Sequence, residues 1–186
     1  MNKLYGLLNN KNNLMKFLII LNNYRATGRC NMTEEVFKIL EKIFNISLDY
    51  LLKEKDKNIE GLIIILSQTF YIIKNEKKIY LQEIIKNHDL FKREEFWKKH
   101  LEDIINEEIY KIEENEKSLR IVFSKELKVK KIKELIIAKI IPFSNNMLEF
   151  GASKESILKI INPIMDKYNL DENSRIMSLS LLEEIK

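Results

Sequence analysis

Two histidines, one cysteine, a lysine-rich run and a polar trio inside an apolar stretch are the residues of this 186-residue chain that could do chemistry. His88 and His100 are the only histidines, and their spacing matches no zinc-ligand pattern. A metal would need at least one further ligand beside them. Glu102 and Asp103 follow His100 closely, but on a helix they project in different directions. Cys30 could act as a nucleophile only with a base and an oxyanion turn nearby, and its loop Ala26 to Met32 (ATGRCNM) supplies neither. As the single cysteine it excludes an intramolecular disulfide and a multi-cysteine zinc site, and it fits a reducing compartment such as the cytoplasm. No glycine-rich phosphate loop and no Gly-x-Ser-x-Gly turn occurs. The carboxylate pairs Glu107–Glu108 and Glu113–Glu114 read as exposed helix charges. The expectation is a chain without catalytic residues, cofactor or bound metal.

The densest basic run is KVKKIK, Lys128 to Lys133. On a helix Lys128 and Lys131 lie near one another and near Lys125, so they are candidates for contact with a phosphate or an anionic lipid headgroup, and the patch from Lys125 to Lys133 carries the alternative reading of an anionic-lipid or nucleic-acid binding helical protein. Lys130 and Lys133 extend the patch, while Val129 and Ile132 interleave as core positions. A solvated helix face is the plainer reading. The net charge of +4, from 32 basic and 28 acidic residues, is mild and well mixed, which argues against a nucleic-acid binder.

The polar trio Ser67, Gln68 and Thr69 sits in LIIILSQTFYII, Leu62 to Ile73. A membrane span needs about 18 or more uninterrupted apolar residues, and the trio disqualifies this stretch. The apolar run Phe17 to Leu21 is too short for a signal peptide and is followed by Asn22 and Asn23. The stretch therefore predicts a central, buried helix over 58–73. Leu62, Ile65, Leu66, Thr69, Phe70 and Ile73 would share one face, and Ile64, Ser67, Gln68 and Tyr71 a second. Ser67 and Thr69 can donate to carbonyls one turn earlier. The Gln68 amide needs a partner on a neighbouring element, because burying it unpaired would cost roughly 1–3 kcal/mol.

The elements that must position these residues are helical. Four glycines and two prolines leave little room for hairpins, and 45% apolar with 32% charged residues is a globular composition. The pattern predicts an all-α, multi-helix bundle of about seven or eight helices, stacked helical hairpins being one arrangement, in a single domain over 1–186. Helices are expected over 13–25, from Thr33 as N-cap to Lys53, over 58–73, over 79–86 and over 93–117. Further ones run from Ser124 to Glu149, from Ser153 to Tyr168, and from Asp171 to Glu184. The apolar stripe of the second is Val36, Ile39, Leu40, Ile43, Phe44, Leu48, Leu51 and Leu52. EENEKS, Glu113 to Ser118, reads as a solvated helix end, and Pro142 should kink or split its helix.

Several segments, in order, resemble one family. FLIILNNYR (Phe17 to Arg25) and MTEEVFKILEKIFNISLDYLLKEKD (Met32 to Asp56) come first. The strongest likeness is the stretch from Gly61 to Ile105, with Ser67, Gln68, Thr69, Phe70 and Tyr71, then Tyr80 and Leu81, then Phe96 and Trp97. FSNNMLEFG follows near the C-terminus, with Asn146, Met147, Phe150 and Gly151. Together, over Asn13 to Gly151, these are similar to the helical domain between the DENN and lipid-binding modules of the set-binding-factor pseudophosphatases, which are myotubularin-related. Where that family often has a Pro and a Trp before its Phe-Trp pair, this chain has Asp89 and Phe91. The resemblance implies a non-catalytic adaptor in membrane trafficking. Its partners would be proteins, a small GTPase or a GTPase regulator, with peripheral membrane contact.

Overall fold

The computed structural model describes residues 10–54, 56–119, 123–173, 175–176 and 180. Among them are seven helices and one two-stranded hairpin, so the architecture is all-α apart from that hairpin. The backbone divides into two compact units, Met1–Lys92 and Arg93–Lys186. The first holds α1 (Lys11–Arg25), α2 (Glu34–Lys53), α3 (Lys57–Ser67), β1 (Tyr71–Lys74), β2 (Lys77–Tyr80) and α4 (Leu81–Ile85). The second holds α5 (Glu94–Leu119), α6 (Lys125–Glu149) and α7 (Lys154–Lys167). No helix among the described residues is long and apolar enough to cross a membrane.

Helix starts in the first unit are set by short polar side chains that accept from otherwise orphaned N–H groups. The Asn10 amide oxygen accepts from Asn12 N–H at 2.9 Å, and Thr33 Oγ1 from Val36 N–H at 3.4 Å. Asp56, in the turn before α3, accepts from Asn58 at 3.1 Å and Ile59 at 3.3 Å, and also meets Lys11 Nζ at 2.7 Å. That last contact joins the start of α1 to the start of α3. At the other end Tyr24 stacks on Phe70, with ring centroids 6.4 Å apart, so α1 and α3 run side by side in the same direction. Leu14, Leu18, Phe44, Leu48, Ile59 and Leu66 are completely buried between α1, α2 and α3. In α2 the inward arc begins at Phe37 rather than at Val36. Phe37, Leu40, Phe44, Ser47 and Leu51 recur at i, i+3 and i+4 spacing and are buried, whereas Val36 and Ile39 are exposed.

The helix expected over 58–73 is shorter. It stops at Ser67, with Gln68 as C-cap, and the chain re-emerges as β1. The sequence YIIK-NE-KKIY is two mirrored β-prone segments about a two-residue turn. It pairs Tyr71 with Tyr80, Ile72 with Ile79, Ile73 with Lys78 and Lys74 with Lys77. Asn75 (φ 50°) and Glu76 (φ 63°) both take the left-handed conformation that a tight hairpin turn of this twist requires. Tyr71 also bonds the loop before α2: its N–H donates to Cys30 O at 3.0 Å, and its carbonyl accepts from Met32 N–H at 2.8 Å. The polar turn expected at 75–78 is thus a hairpin turn, and the short helix expected over 79–86 is confined to α4.

In the second unit α5 and α6 form an antiparallel helical hairpin. Their contacts run in opposite order: Lys128 meets Glu116 at 2.9 Å, Lys139 meets Glu108 at 3.4 Å, and Phe143 meets Trp97. Pro142 neither splits nor ends α6. The carbonyl its ring deprives of a partner belongs to Ala138, and both residues are exposed, so water can satisfy that group. Pro163 in α7, with Lys159 one turn earlier, lies on an exposed face in the same way. Ser124 Oγ caps α6 through Leu127 N–H at 3.2 Å, and Ser153 Oγ caps α7 through Ser156 N–H at 3.2 Å. Gly151 (φ 84°) ends α6: its N–H reaches Leu148 O, and Ala152 N–H reaches Met147 O, each at 2.9 Å. Of the helix expected after Asp171, residues 172–173, 175–176 and 180 are helical, and the remainder lies outside the described residues.

Candidate functional site

The residues that carry the family likeness are brought together in two places. In the first unit Ser67 is fully buried and its hydroxyl donates to Ile64 O at 2.9 Å, while Thr69 Oγ1 donates to Ile65 O at 2.6 Å. Both hydroxyls thus satisfy themselves on the preceding turn, as their spacing predicts. Gln68 differs from expectation. As the C-cap of α3 it is only half-buried, and its N–H donates to Ile64 O at 3.2 Å. Phe70 and Leu81 have no exposed surface, and Leu81 N–H donates to Phe70 O at 2.9 Å. Tyr71 and Tyr80 face each other across the strands with centroids 5.4 Å apart. Ile65 and Ile73, expected inside, are 46% and 57% exposed: Ile65 lies on the outer side of α3, and Ile73 lies beyond its end, on β1.

The second cluster surrounds Trp97. Phe96 lies at 5.1 Å, Phe143 at 5.8 Å in an edge-to-face arrangement and Phe150 at 5.6 Å, between ring centroids. Met147 is 1% exposed, and Gly151 allows the turn that follows Phe150. The half-buried Asn146 accepts at its carbonyl from Phe150 N–H at 3.0 Å. Segments about fifty residues apart in sequence therefore meet on one tryptophan. Aromatic pairs of this geometry contribute roughly 0.5–1.5 kcal/mol each beyond their buried area.

His100 lies in the same cluster, parallel to Phe96 and 6.3 Å from Phe143. Burial lowers its pKa to about 4, with Asp103 opposing that shift. Neutral at physiological pH and flanked by rings, it is built as a core residue. His88 lies in the turn after α4. Its Nδ1 accepts from Leu90 N–H at 3.2 Å, which places the ring proton on Nε2, 3.3 Å from Asp49. No group of three or more metal-capable side chains occurs among the described residues. Cys30 is half-buried, with Sγ 4.0 Å from Arg25 O.

Lys125 and the four lysines of the basic run do not share one surface. Lys128 is held by Glu116 at 2.9 Å and Glu113 at 3.4 Å, which raises its pKa, chiefly through the Glu116 bond. EENEKS is consequently not a free helix end. Lys131 lies over the Phe123 ring at 3.6 Å, and Lys130 approaches Glu134 at 3.9 Å. Val129, expected as a core position, is 47% exposed. Lys125, Lys130 and Lys133 line an open concavity of about 710 Å³ with Val129 and Ile137, but Glu126, Glu134 and Asp171 line it too. Three positive and three negative groups give it little attraction for a simple anion. Glu108 is likewise engaged: its bond to Lys111 above all, with Lys139 adding to it, holds its carboxyl below the usual range, against the opposing effect of burial.

Sequence reasoning missed Asp56 as a cap and ion-pair partner, though an Asp before an apolar run is a start signal. It also missed the hairpin. No family model matches the chain, and neither a curated protein nor a solved structure matches it.

Proposed function

We propose that the chain is a non-enzymatic helical adaptor in the regulation of small GTPases or membrane traffic, acting in the cytoplasm. The observation that supports this reading best is the convergence of the family-like segments. The Phe96–Trp97 pair and the Asn146 to Gly151 segment build one aromatic cluster around Trp97. The same residues are packed and largely buried, so their role in this reading is to hold helices that present a protein-binding surface. Exposed Ile20 and Tyr24 on α1, and Ile65 on α3, are the apolar side chains such a surface would use. Affinity capture with the purified chain as bait tests the proposal. Recovery of a small GTPase, or of an exchange factor or GTPase activator, supports it. Recovery of metabolic enzymes alone overturns it.

A further inference from the structure

The β1–β2 hairpin carries chemistry that packing does not require. Its six tip residues, Ile73 to Lys78, are all exposed, and they include three lysines against the single carboxylate of Glu76. Lys74 stands directly opposite Lys77, an arrangement that destabilises a strand pair through like-charge repulsion. Neither has an ion-pair partner among the described residues, and Lys78 lies over the Tyr71 ring at 4.6 Å. Ile73 pairs with Lys78, on the face of the ribbon away from Lys74 and Lys77, and is 57% exposed. A lone exposed aliphatic residue is ordinary. Here it stands just before a tight two-residue turn, with Lys78 opposite it on the same face and Lys74 and Lys77 on the other, so one short ribbon end carries an exposed aliphatic side chain and three cationic ones.

We propose that this hairpin tip is a contact site for an anionic lipid surface. Ile73 would enter the boundary between headgroups and acyl chains, and Lys74, Lys77 and Lys78 would meet lipid phosphates and carboxylates. The rings argue for lipid over single-stranded nucleic acid, which is bound on exposed aromatic faces. Tyr71 and Tyr80 are half-buried and turned to each other, and Lys78 covers the Tyr71 face. The lysines of α6 cannot supply this contact equally well, because acidic neighbours offset them. The proposal is independent of any GTPase partner, since its readout is partition onto vesicles.

The test uses the full chain and co-sedimentation with vesicles of phosphatidylcholine, with and without phosphatidylserine. The parent chain should pellet only with the phosphatidylserine vesicles, and less at higher salt. Each lysine near the surface contributes roughly fivefold in partition, so the double substitution Lys74→Glu/Lys77→Glu should weaken binding by roughly 25-fold or more. Both side chains are exposed, and an unchanged circular dichroism spectrum would show that the fold survives. Lys125→Glu/Lys133→Glu should leave partition nearly unchanged. In the Ile73→Trp variant the new indole should shift its emission to the blue on vesicles, against a constant background from buried Trp97. Failure of the parent chain to pellet would overturn the proposal. So would undiminished binding by the hairpin variant, loss confined to the α6 variant, an unshifted emission from the Ile73→Trp variant, or hairpin-dependent binding to polyuridine RNA in place of vesicles.

Discussion

Lowering the pH should destabilise the second unit through one residue, His100. Burial holds its imidazole at about 4, against an ordinary value of 6.5, with Asp103 pulling the other way. Between those values the unfolded chain takes up a proton that the folded chain refuses. The folded-state pKa is depressed, so the stability is complete above about pH 6.5 and declines as pH falls toward about 4. At 1.36 kcal/mol for each tenfold change in proton affinity, the loss amounts to about 2 kcal/mol by pH 5 and about 3 kcal/mol by pH 4. Trp97 is the only tryptophan and sits in the same cluster, so its fluorescence reports unfolding of this unit. Urea denaturation from about pH 7 to about pH 5 should be run on the parent and on His100→Leu. Glu108, Glu126 and Glu155 also titrate at the acid end, but they are common to both chains and cancel in the difference. The parent curve should fall relative to the variant by about 2 kcal/mol across that range. Parallel curves would refute the placement of His100 as a neutral, buried residue.

Substitutions at three further positions test the first unit. Phe70→Ala removes a completely buried ring from between Tyr24 and the start of α4, and should cost about 3–5 kcal/mol in a thermal or urea melt; an unchanged melt contradicts the packing. Asp56→Ala should cost about 1–2 kcal/mol by uncapping α3, whereas Asp56→Asn, which keeps the cap oxygen but not the charge for Lys11, should lose much less; equal losses would assign the effect to the ion pair instead. Glu76→Gly relieves a non-glycine residue at φ 63° and should stabilise the hairpin by up to about 1 kcal/mol, measured by amide exchange of β1 and β2.

Helix starts are legible in the sequence because they are local. Thr33, Ser124 and Ser153 each precede a periodic run, and each caps it. Gly151 is equally legible as a stop. The error at Leu62 to Ile73 comes from periodicity alone. An apolar run long enough for about three turns satisfies the helix template whether or not its second half is β-branched and aromatic. The decisive signal is the pairing of Tyr71-Ile72-Ile73-Lys74 with Lys77-Lys78-Ile79-Tyr80 about Asn75, which is visible only when the two halves are compared. Pro142 misleads for a different reason. The cost of a proline inside a helix depends on whether the orphaned carbonyl reaches water, and burial on one side of a helix cannot be read from that residue. The lysine run reads as one patch in sequence, but which lysines meet Glu113 and Glu116 depends on how α5 and α6 align. That Phe96, Trp97, Phe143 and Phe150 meet in one aromatic cluster is not legible either, because it depends on how α5 and α6 pack against each other.

Proximity labelling in cells, with the labelling enzyme fused to this chain and to its Phe70→Ala variant as a folding control, tests the adaptor reading most directly. Small GTPases, their exchange factors or their activators should lead the labelled set for the parent and fall away for the variant. A labelled set that holds none of these, or that is the same for both chains, would contradict it.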